Sequence, residues 1–442
     1  MKKIFAVSFI SVGYFLNAQS ISNSPYATYG IGDVKYDNTI ETASMGGIST
    51  AYISDFTSSF NFANPANNSN FELTSIKLEA TNENNYFKTD YNNTKSTKHS
   101  TYLSNISLAF PLSPKVKMGL SYQPYSSKSY DIENKSPRYT TVYDNVVTED
   151  GYYTNRFKGS GTLNTAQAAI SYKIDQNFAV GLRANLYFGN LYDLNELKSF
   201  DKDGVANAEY INGYETKNSI KNFNFTLGGS YQSLNTRTDR KLTIGATATF
   251  GNTSNMTTDY VNSTYVYSDV AQTVKALETI IEQKSTSSKN LLPLQASFGV
   301  GYGSENHWFF SGQLDYKKGE DISYFGKTFD FQDTYRISAG GWYLPNYNNF
   351  RSYFSRVIYR YGAFYERGSL KINGTSINKF GISGGVLLPF KTSSITRMSG
   401  LELGIEVGKR GTLKNNLINQ NYINLKVGFN FADRWFRKTL YN

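Results

Sequence analysis

The stretch Tyr422-Ile423-Asn424-Leu425-Lys426-Val427-Gly428-Phe429-Asn430-Phe431 alternates large apolar residues with small or polar ones. Successive side chains of a β-strand point to opposite faces, so this pattern predicts a strand with one apolar and one polar face. The same alternation recurs from about Phe71 to the C-terminus, with Leu, Ile, Val, Phe and Tyr on the apolar face. Strands with an apolar exterior and a polar interior are typical of barrels in a lipid bilayer.

A secreted soluble β-sandwich would also have alternating strands, but its outer faces would need Lys and Glu against water. Here the other face carries mostly Gly, Ser, Thr and Asn, as at Gly299, Gly301 and Gly303 or at Ser338 and Gly340. We therefore predict an all-β fold, a 14-stranded antiparallel transmembrane β-barrel with an N-terminal lumen hatch.

Composition excludes several other classes of protein. A hydrophobic content of 39% and a mean hydropathy of −0.45 exclude a helical membrane protein. The absence of cysteine excludes thiolate metal sites, and His99 and His307 alone offer little for zinc or triad chemistry. We therefore expect no catalytic residue, no metal and no cofactor. The net charge of +10 is dispersed along the chain, which favours anionic lipid over nucleic acid as its partner.

The first 18 residues have the features of a secretory signal peptide. Lys2 and Lys3 precede a short apolar core at residues 4–16, and Leu16-Asn17-Ala18 offers a small-residue cleavage site. The core is shorter than the ~20 residues that a membrane-spanning helix needs. We expect cleavage before Gln19 and export to the outer membrane of a Gram-negative bacterium.

Fourteen segments carry the alternating pattern, and each is near or above the ~9–11 residues of a tilted membrane strand. The predicted strands are 71–85, 102–112, 115–130, 162–174, 178–197, 222–234, 242–258, 292–303, 308–318, 334–344, 357–370, 378–390, 401–409 and 422–431.

The links between these strands alternate between short and long over the first two-thirds of the chain. Tight turns are predicted at 113–114, 175–176, 235–240 and 304–306, and long polar loops near 86–97, 131–161, 198–221 and 259–290. Outer-membrane barrels have short periplasmic turns and longer extracellular loops. The predicted barrel domain is 71–442, and residues 432–442 form a short periplasmic tail.

Residues 19–70 do not alternate and form the predicted hatch. They contain Met45-Gly46-Gly47 and, further on, Asn64-Pro65-Ala66. Gly46 and Gly47 allow the backbone to adopt positive φ and to pass close to the barrel wall. Pro65 favours an extended Asn64, whose amide can bond its own backbone or that of the wall.

These motifs, together with the signal peptide and fourteen strands, resemble the FadL-type (long-chain fatty acid transporter-like) outer-membrane barrels. The resemblance implies that the hatch fills the lumen, either as a fixed plug or as a movable gate formed by Met45, Gly46, Gly47, Asn64, Pro65 and Ala66. It also implies a kink in the third strand that opens the wall sideways. Pro124 interrupts that strand here, so it marks either a lateral opening or an ordinary rim bulge.

The fourth long loop changes its apolar period. Val270, Val274, Leu277 and Ile281 follow helical spacing, which predicts a short amphipathic helix. Such a helix would cover its own rim, bind a hydrophobic ligand or dock a partner.

Several polar or aromatic side chains are predicted to face the lumen. Their expected role is to pair with one another and with the hatch, and they are Arg183, Asn185, Gln313, Asp315, Arg336 and Trp342.

The resemblance implies two functions. The first is passive transport of hydrophobic small molecules across the outer membrane, with outer-membrane lipid and the ligand as partners. The second is a non-transporting accessory subunit of a secretion or barrel-assembly complex, because FadL-type barrels also supply subunits of type IX secretion and barrel-assembly complexes. The tail Arg434-Trp435-Phe436-Arg437-Lys438 offers a periplasmic contact for such a complex.

Overall fold

The computed structural model describes most of the chain after the predicted signal peptide. The described ranges are 24–36, 39–56, 58–90, 94–142, 146–204, 211–268, 273–319, 322–324, 327–329, 331–349, 351–390 and 398–434. Residues 1–18 and most of the predicted C-terminal tail lie outside them.

The described residues form twenty-one strands and one short α-helix, α1, at Ile40–Ala43. They also form four short 3-10 helices, at Pro25–Thr28, Pro65–Asn68, Phe354–Arg356 and Lys414–Asn416. The strands are β1 (Asp33–Val34), β2 (Thr74–Thr89), β3 (Lys95–Pro111), β4 (Val116–Val142), β5 (Val146–Lys173), β6 (Phe178–Asp201), β7 (Ile211–Asn235), β8 (Arg240–Thr249), β9 (Asn252–Ser268), β10 (Thr273–Leu292), β11 (Gln295–Ser304), β12 (Trp308–Lys317), β13 (Ile322–Tyr324), β14 (Lys327–Phe329), β15 (Thr334–Tyr343), β16 (Ile358–Arg367), β17 (Lys371–Ile372), β18 (Thr375–Ser376), β19 (Lys379–Pro389), β20 (Gly400–Gly411) and β21 (Ile418–Asp433). No described helix has the length and apolarity needed to cross a bilayer.

The predicted fourteen-stranded antiparallel barrel is confirmed. The ring runs from β2 through β7, then through two composite strands to β12, β15, β16, β19, β20 and β21, and β21 pairs with β2 to close it. The composite strands are β8 with β9 and β10 with β11. The first is interrupted at Phe250 and Gly251, and the second at Pro293, which cannot donate to the ladder.

The two faces of the wall follow the predicted alternation. Apolar side chains on the outer face are largely exposed, as at Ile382 (66%) and Ile337 (58%). Polar side chains on the inner face are buried, and Asn185 and Thr243 are both fully inaccessible. The exposed apolar face is the one that lipid tails would cover.

The long links predicted as loops are mostly paired strands, so that prediction is wrong. β4 and β5 pair from Val116 with Tyr172, near their periplasmic ends, up to Val142 with Val146. This pairing is far longer than the ~9–11 residues that cross the membrane. β6 with β7 and β9 with β10 continue outward in the same way. Unlike a loop, the paired strands satisfy their backbone hydrogen bonds within the sheet.

The helix predicted from Val270, Val274, Leu277 and Ile281 is also wrong where the structure describes it. Val270 lies outside the described residues, and the other three belong to β10, which pairs with β9. The register shifts between Ala276 and Glu278 and again between Thr279 and Ile281. A spacing of four residues fits a strand as well as a helix, and the spacing of three from Val274 to Leu277 ends at the extra residue of the first bulge.

The chain from Ser24 to Leu73 fills the lumen, and we call it the hatch. It begins near the extracellular rim, where Tyr26 donates to the carbonyl of Ile418, and it descends toward the periplasmic end. One apolar cluster joins the hatch residues Met45, Ile48, Tyr52 and Phe56 to wall residues that include Phe309 and Trp342. Full burial of such side chains contributes roughly 1.5–3 kcal/mol each.

Gly46 lies where the hatch backbone touches the wall. Its φ is +74°, and a Cβ added there would lie 2.8 Å from the backbone N and O of Ala363. Gly374, in the β17–β18 turn, has a φ of +76° with nothing within 4 Å of an added Cβ. The two glycines therefore share a backbone conformation and differ in the space around them.

Because of this difference, Gly46→Ala should lower stability more than Gly374→Ala. Left-handed backbone costs an L-residue about 1–2 kcal/mol at either position, and steric overlap at the wall should add about 1–3 kcal/mol at Gly46 alone. Denaturant unfolding of both variants in detergent would measure this. Equal losses of stability would contradict the close packing of hatch and wall.

Candidate functional site

A buried carboxylate ties the hatch to the wall near the periplasmic ends of β2, β16 and β20. Glu41, on α1, is 3.2 Å from the Lys77 ammonium on β2 and 3.0 Å from the Arg360 guanidinium on β16. Glu402 on β20 lies 3.6 Å from both of these cations. All four side chains are at most 4% exposed. The cluster ties the hatch to three strands of the wall.

Two hydroxyl groups of the hatch complete the surroundings of Glu41. Tyr52 donates to Oε1 at 2.8 Å, and Ser59 donates to Oε2. Burial alone would raise the pKa of Glu41, but Lys77 and Arg360 outweigh burial and lower the pKa to about 2. The carboxylate therefore stabilises the folded state fully above its ordinary pKa of 4.5, and the contribution is lost as the pH falls toward 2.

A second ion pair holds the hatch near the periplasmic end. Lys241, on β8, contacts the Asp55 carboxylate and donates to the carbonyl of Ile53 at 2.9 Å. Both charged side chains are 2% exposed. The hatch is thus held by buried charge at two places on the wall, one at β2 and β16 and the other at β8.

Wall side chains also bind the hatch backbone directly. Gln313 accepts from the amides of Ser49 and Thr50 at 2.7 and 2.8 Å. Arg183 donates to the carbonyl of Phe62 at 2.7 Å, and Arg336 donates to that of Gly46 at 3.1 Å. The predicted pairing of these three lumen residues with the hatch is confirmed.

The other predicted lumen residues also have partners inside the barrel. Asp315 accepts from Tyr36 at 2.8 Å, and Asn185 donates to Asn224 at 2.9 Å. Trp342 is 1% exposed, and its ring lies 5.3 Å from that of Phe56 in the hatch.

The two hatch motifs lie against glycines of the wall. Met45 is fully buried, and a Cβ at Gly362 would lie 2.2 Å from its carbonyl carbon. Gly47 has a φ of +90°, as its motif predicts. Small wall residues therefore let the backbone of the hatch approach the wall closely.

Asn64-Pro65-Ala66 lies at the far side of the lumen. Asn64 is extended and fully buried; it accepts from the Ala66 amide at 3.1 Å and donates to the carbonyl of Thr50 at 2.7 Å. A Cβ at Gly181 would lie 2.4 Å from the carbonyl carbon of Pro65. The predicted hydrogen bonding of Asn64 to backbone is confirmed.

A cavity of about 380 Å³ remains between the upper hatch and the wall. Its lining is rich in charged side chains: Asp33, Lys35, Glu83, Arg183, Asp315, Lys317, Lys318, Arg336, Glu366, Lys379, Glu406, Arg410 and Lys426. A cavity for an apolar ligand has a mostly apolar lining, which this one lacks.

The wall is incompletely paired beside Pro124. β3 and β4 pair from Pro111 with Lys117 up to Ile106 with Tyr122, and above that level the described residues show no further pairing between them. A register shift between Pro124 and Ser126 bulges β4 where this gap begins. Pro124 thus marks a bulge at the edge of a gap in the wall.

The hatch covers the gap from inside. β1 adds to β4, with Asp33 opposite Ser127 and Val34 opposite Ser126. The Lys35 amide donates to the carbonyl of Tyr125 at 2.7 Å, and its ammonium lies 2.9 Å from Glu83 on β2. The backbone of the hatch therefore binds β4 on one side of the gap, and the side chain of Lys35 binds β2 on the other.

Sequence reasoning missed the charged residues that fix the hatch. A signal was present, because Lys77, Glu79 and Glu83 alternate with Ile76, Leu78 and Ala80 in the first barrel strand. Charges at this spacing lie on the lumen face and need partners there. Among the described residues, no cluster of His, Asp and Glu could hold a metal ion.

Removing the Glu41 carboxylate should loosen the hatch. In Glu41→Ala, Lys77 and Arg360 would keep Glu402 but lose the nearer of their two carboxylates, at a cost of at most about 3–5 kcal/mol, the value for an uncompensated buried charge. Limited proteolysis should then cut residues 39–73 faster than in the unaltered protein. Asp131→Ala is the control, since it breaks an exposed pair with Arg156 that is worth at most about 1 kcal/mol. Equal cleavage of both variants would contradict the role of Glu41.

The fold is shared with solved outer-membrane channels. The monoaromatic hydrocarbon channel CymD aligns with a TM-score of 0.55 and 12% identity, over 90% of this chain and 97% of its own. The Pseudomonas putida toluene transporter TodX aligns with a TM-score of 0.55 and 13% identity, over 91% of this chain and 99% of its own. A Pseudomonas aeruginosa FadL homologue aligns with a TM-score of 0.54 and 10% identity, over 91% of this chain and 98% of its own. The barrel therefore matches FadL-type outer-membrane channels of Gram-negative bacteria.

No curated protein sequence matches this chain significantly. A sequence model of the BamG family matches residues 1–442, the whole chain. Since that match covers the chain from end to end, this protein belongs to the BamG family.

Proposed function

We propose that this protein is an integral outer-membrane barrel that serves as a non-transporting subunit of an outer-membrane barrel-assembly or secretion complex. The observation that carries the proposal is the fixation of the hatch by buried ion pairs at Glu41 and Asp55. Membership of the BamG family supports the assembly-complex role.

A hatch held in this way is poorly suited to act as a gate. Moving it would separate Glu41 from Lys77 and Arg360. Breaking a buried ion pair by removing one partner costs about 3–5 kcal/mol. The contacts of Gln313 and Arg183 with the hatch backbone would be lost as well. A fixed plug keeps the barrel sealed while its outer surface contacts other proteins.

Passive transport of hydrophobic small molecules is the second candidate, and the gap beside Pro124 favours it. An apolar cluster faces the lumen close to the gap, with Tyr125 packed against Ile31, Leu163, Tyr187, Leu191, Ile220, Met256 and Leu292. On this alternative, the Met45–Gly47 and Asn64–Ala66 segments form the gate and Pro124 the exit. The solved relatives are themselves described as hydrocarbon channels or toluene transporters.

The location, processing and partners of the protein follow from this role. Residues 1–18 are removed as a signal peptide, the barrel resides in the outer membrane, and its partners are lipid and other outer-membrane or periplasmic proteins. It has no catalytic activity and binds no nucleic acid, metal or cofactor.

Native purification tests the proposal. An affinity-tagged copy expressed at chromosomal level, extracted from outer membranes in mild detergent, should carry other outer-membrane proteins in fixed stoichiometry. An unrelated tagged barrel of similar abundance is the control. Recovery as a solitary barrel with hydrophobic molecules in the lumen would overturn the subunit proposal and support transport.

A further inference from the structure

The upper half of β3 has an open edge. From Lys95 to Ala109, β3 pairs along one side with β2, whereas its pairing with β4 on the other side ends at Ile106. Within the part of the chain that the structure describes, no strand pairs with that second side from Asn105 back to Lys95. A row of backbone donors and acceptors therefore faces the gap.

Two bulges lie at the level where the gap begins. On β3, Asn105 pairs with Glu79 and Leu103 with Ala80, so Ser104 is the extra residue. On β4, Tyr125 is the extra residue between Pro124 and Ser126. A bulge bends its strand and can end its pairing. The bulges in β3 and β4 therefore account for the separation of these two strands.

The lower part of this edge lies at the height of the hydrocarbon layer. Leu103 is about eight residues from the periplasmic end of β3 at Pro111, as Leu186 is from the end of β6 at Phe178. Leu186 is on the outer face and 39% exposed, so the lipid-facing surface reaches this level. An open strand edge at this depth must be covered by protein or water, because lipid tails offer no hydrogen bonds.

The opposite side of the gap shows what kind of segment fits. There, β1 adds as a short antiparallel strand to β4 at Ser126 and Ser127. On the lumen side, the gap is bordered by Lys35, its partner Glu83 and Tyr102, which donates to Glu83 at 2.7 Å. The hatch thus occupies the lumen side of the gap, and the β3 edge remains for a segment that arrives from the membrane side.

We propose that the gap between β3 and β4 is a docking site at which an extended segment of a membrane-embedded partner protein adds to the β3 edge near Leu103 to Asn105. This inference rests on the proposed role as a complex subunit. Main-chain hydrogen bonds hold the partner segment, as in other cases of strand addition. The fixed hatch keeps the lumen sealed while the wall accepts it.

Site-directed cross-linking tests the docking site. The chain has no cysteine, so Leu103→Cys carries a thiol-reactive benzophenone at one known place. Ile337→Cys, on the outer face of β15, is the matched control. In native outer membranes, light should join a partner protein to position 103 and leave position 337 without that product.

Bulky substitutions give an independent measurement. Leu103→Trp should reduce the partner recovered in native purification several-fold, whereas Ile337→Trp should not, and both barrels should remain folded by heat-modifiable migration. Suppose that partners purify with the unaltered protein, yet neither cross-link to Leu103→Cys nor are lost with Leu103→Trp. The docking site is then wrong and the subunit role stands. A product between two copies of this chain would also overturn the proposed occupant. If no partner purifies, the subunit role and this inference fail together.

Discussion

The carboxylate of Glu41 is the constraint on which the rest of the structure depends. It has left water entirely, so it must be surrounded by cations and donors, and the barrel supplies Lys77 and Arg360 from two different strands. Together with Glu402, it balances these two cations, and its removal would leave an excess of buried positive charge. The charges of the hatch and the wall therefore balance only when the hatch is inside the barrel. This balance keeps the hatch in place, and the hatch closes the lumen.

Packing between hatch and wall follows from this arrangement. At three places, the backbone of the hatch lies where a wall residue has no side chain: Gly362 beside Met45, Gly245 beside Thr50 and Gly181 beside Pro65. Sequence alternation accounts for small residues on the inner face, and the structure adds that several of them are needed for backbone contact. The gap beside Pro124 is the exception, because there a strand of the hatch pairs with β4 in place of β3.

Much of the fold could be predicted because a strand in lipid has a local rule: each residue faces either lipid or lumen. The fourteen strands and the role of Asn64 follow from such rules. The outer extensions of β4 to β7 could not be predicted in this way, since both of their faces meet water and their alternation is weak. In β10, spacings of three and four residues fit a bulged strand as well as a helix, so the helix predicted at Val274, Leu277 and Ile281 is wrong.

The alternation of the first barrel strand could place Lys77 on the lumen face, but its buried partners could not be predicted from the sequence. Glu41 and Arg360 are 319 residues apart, and nothing local indicates that they meet. Hydrogen exchange measures their combined effect most directly. In native membranes, the amides of Ser49 and Thr50, which donate to Gln313, should exchange as slowly as those of the surrounding barrel strands. Fast exchange of these two amides within a fully protected barrel would show that the hatch opens on its own, contrary to a fixed plug.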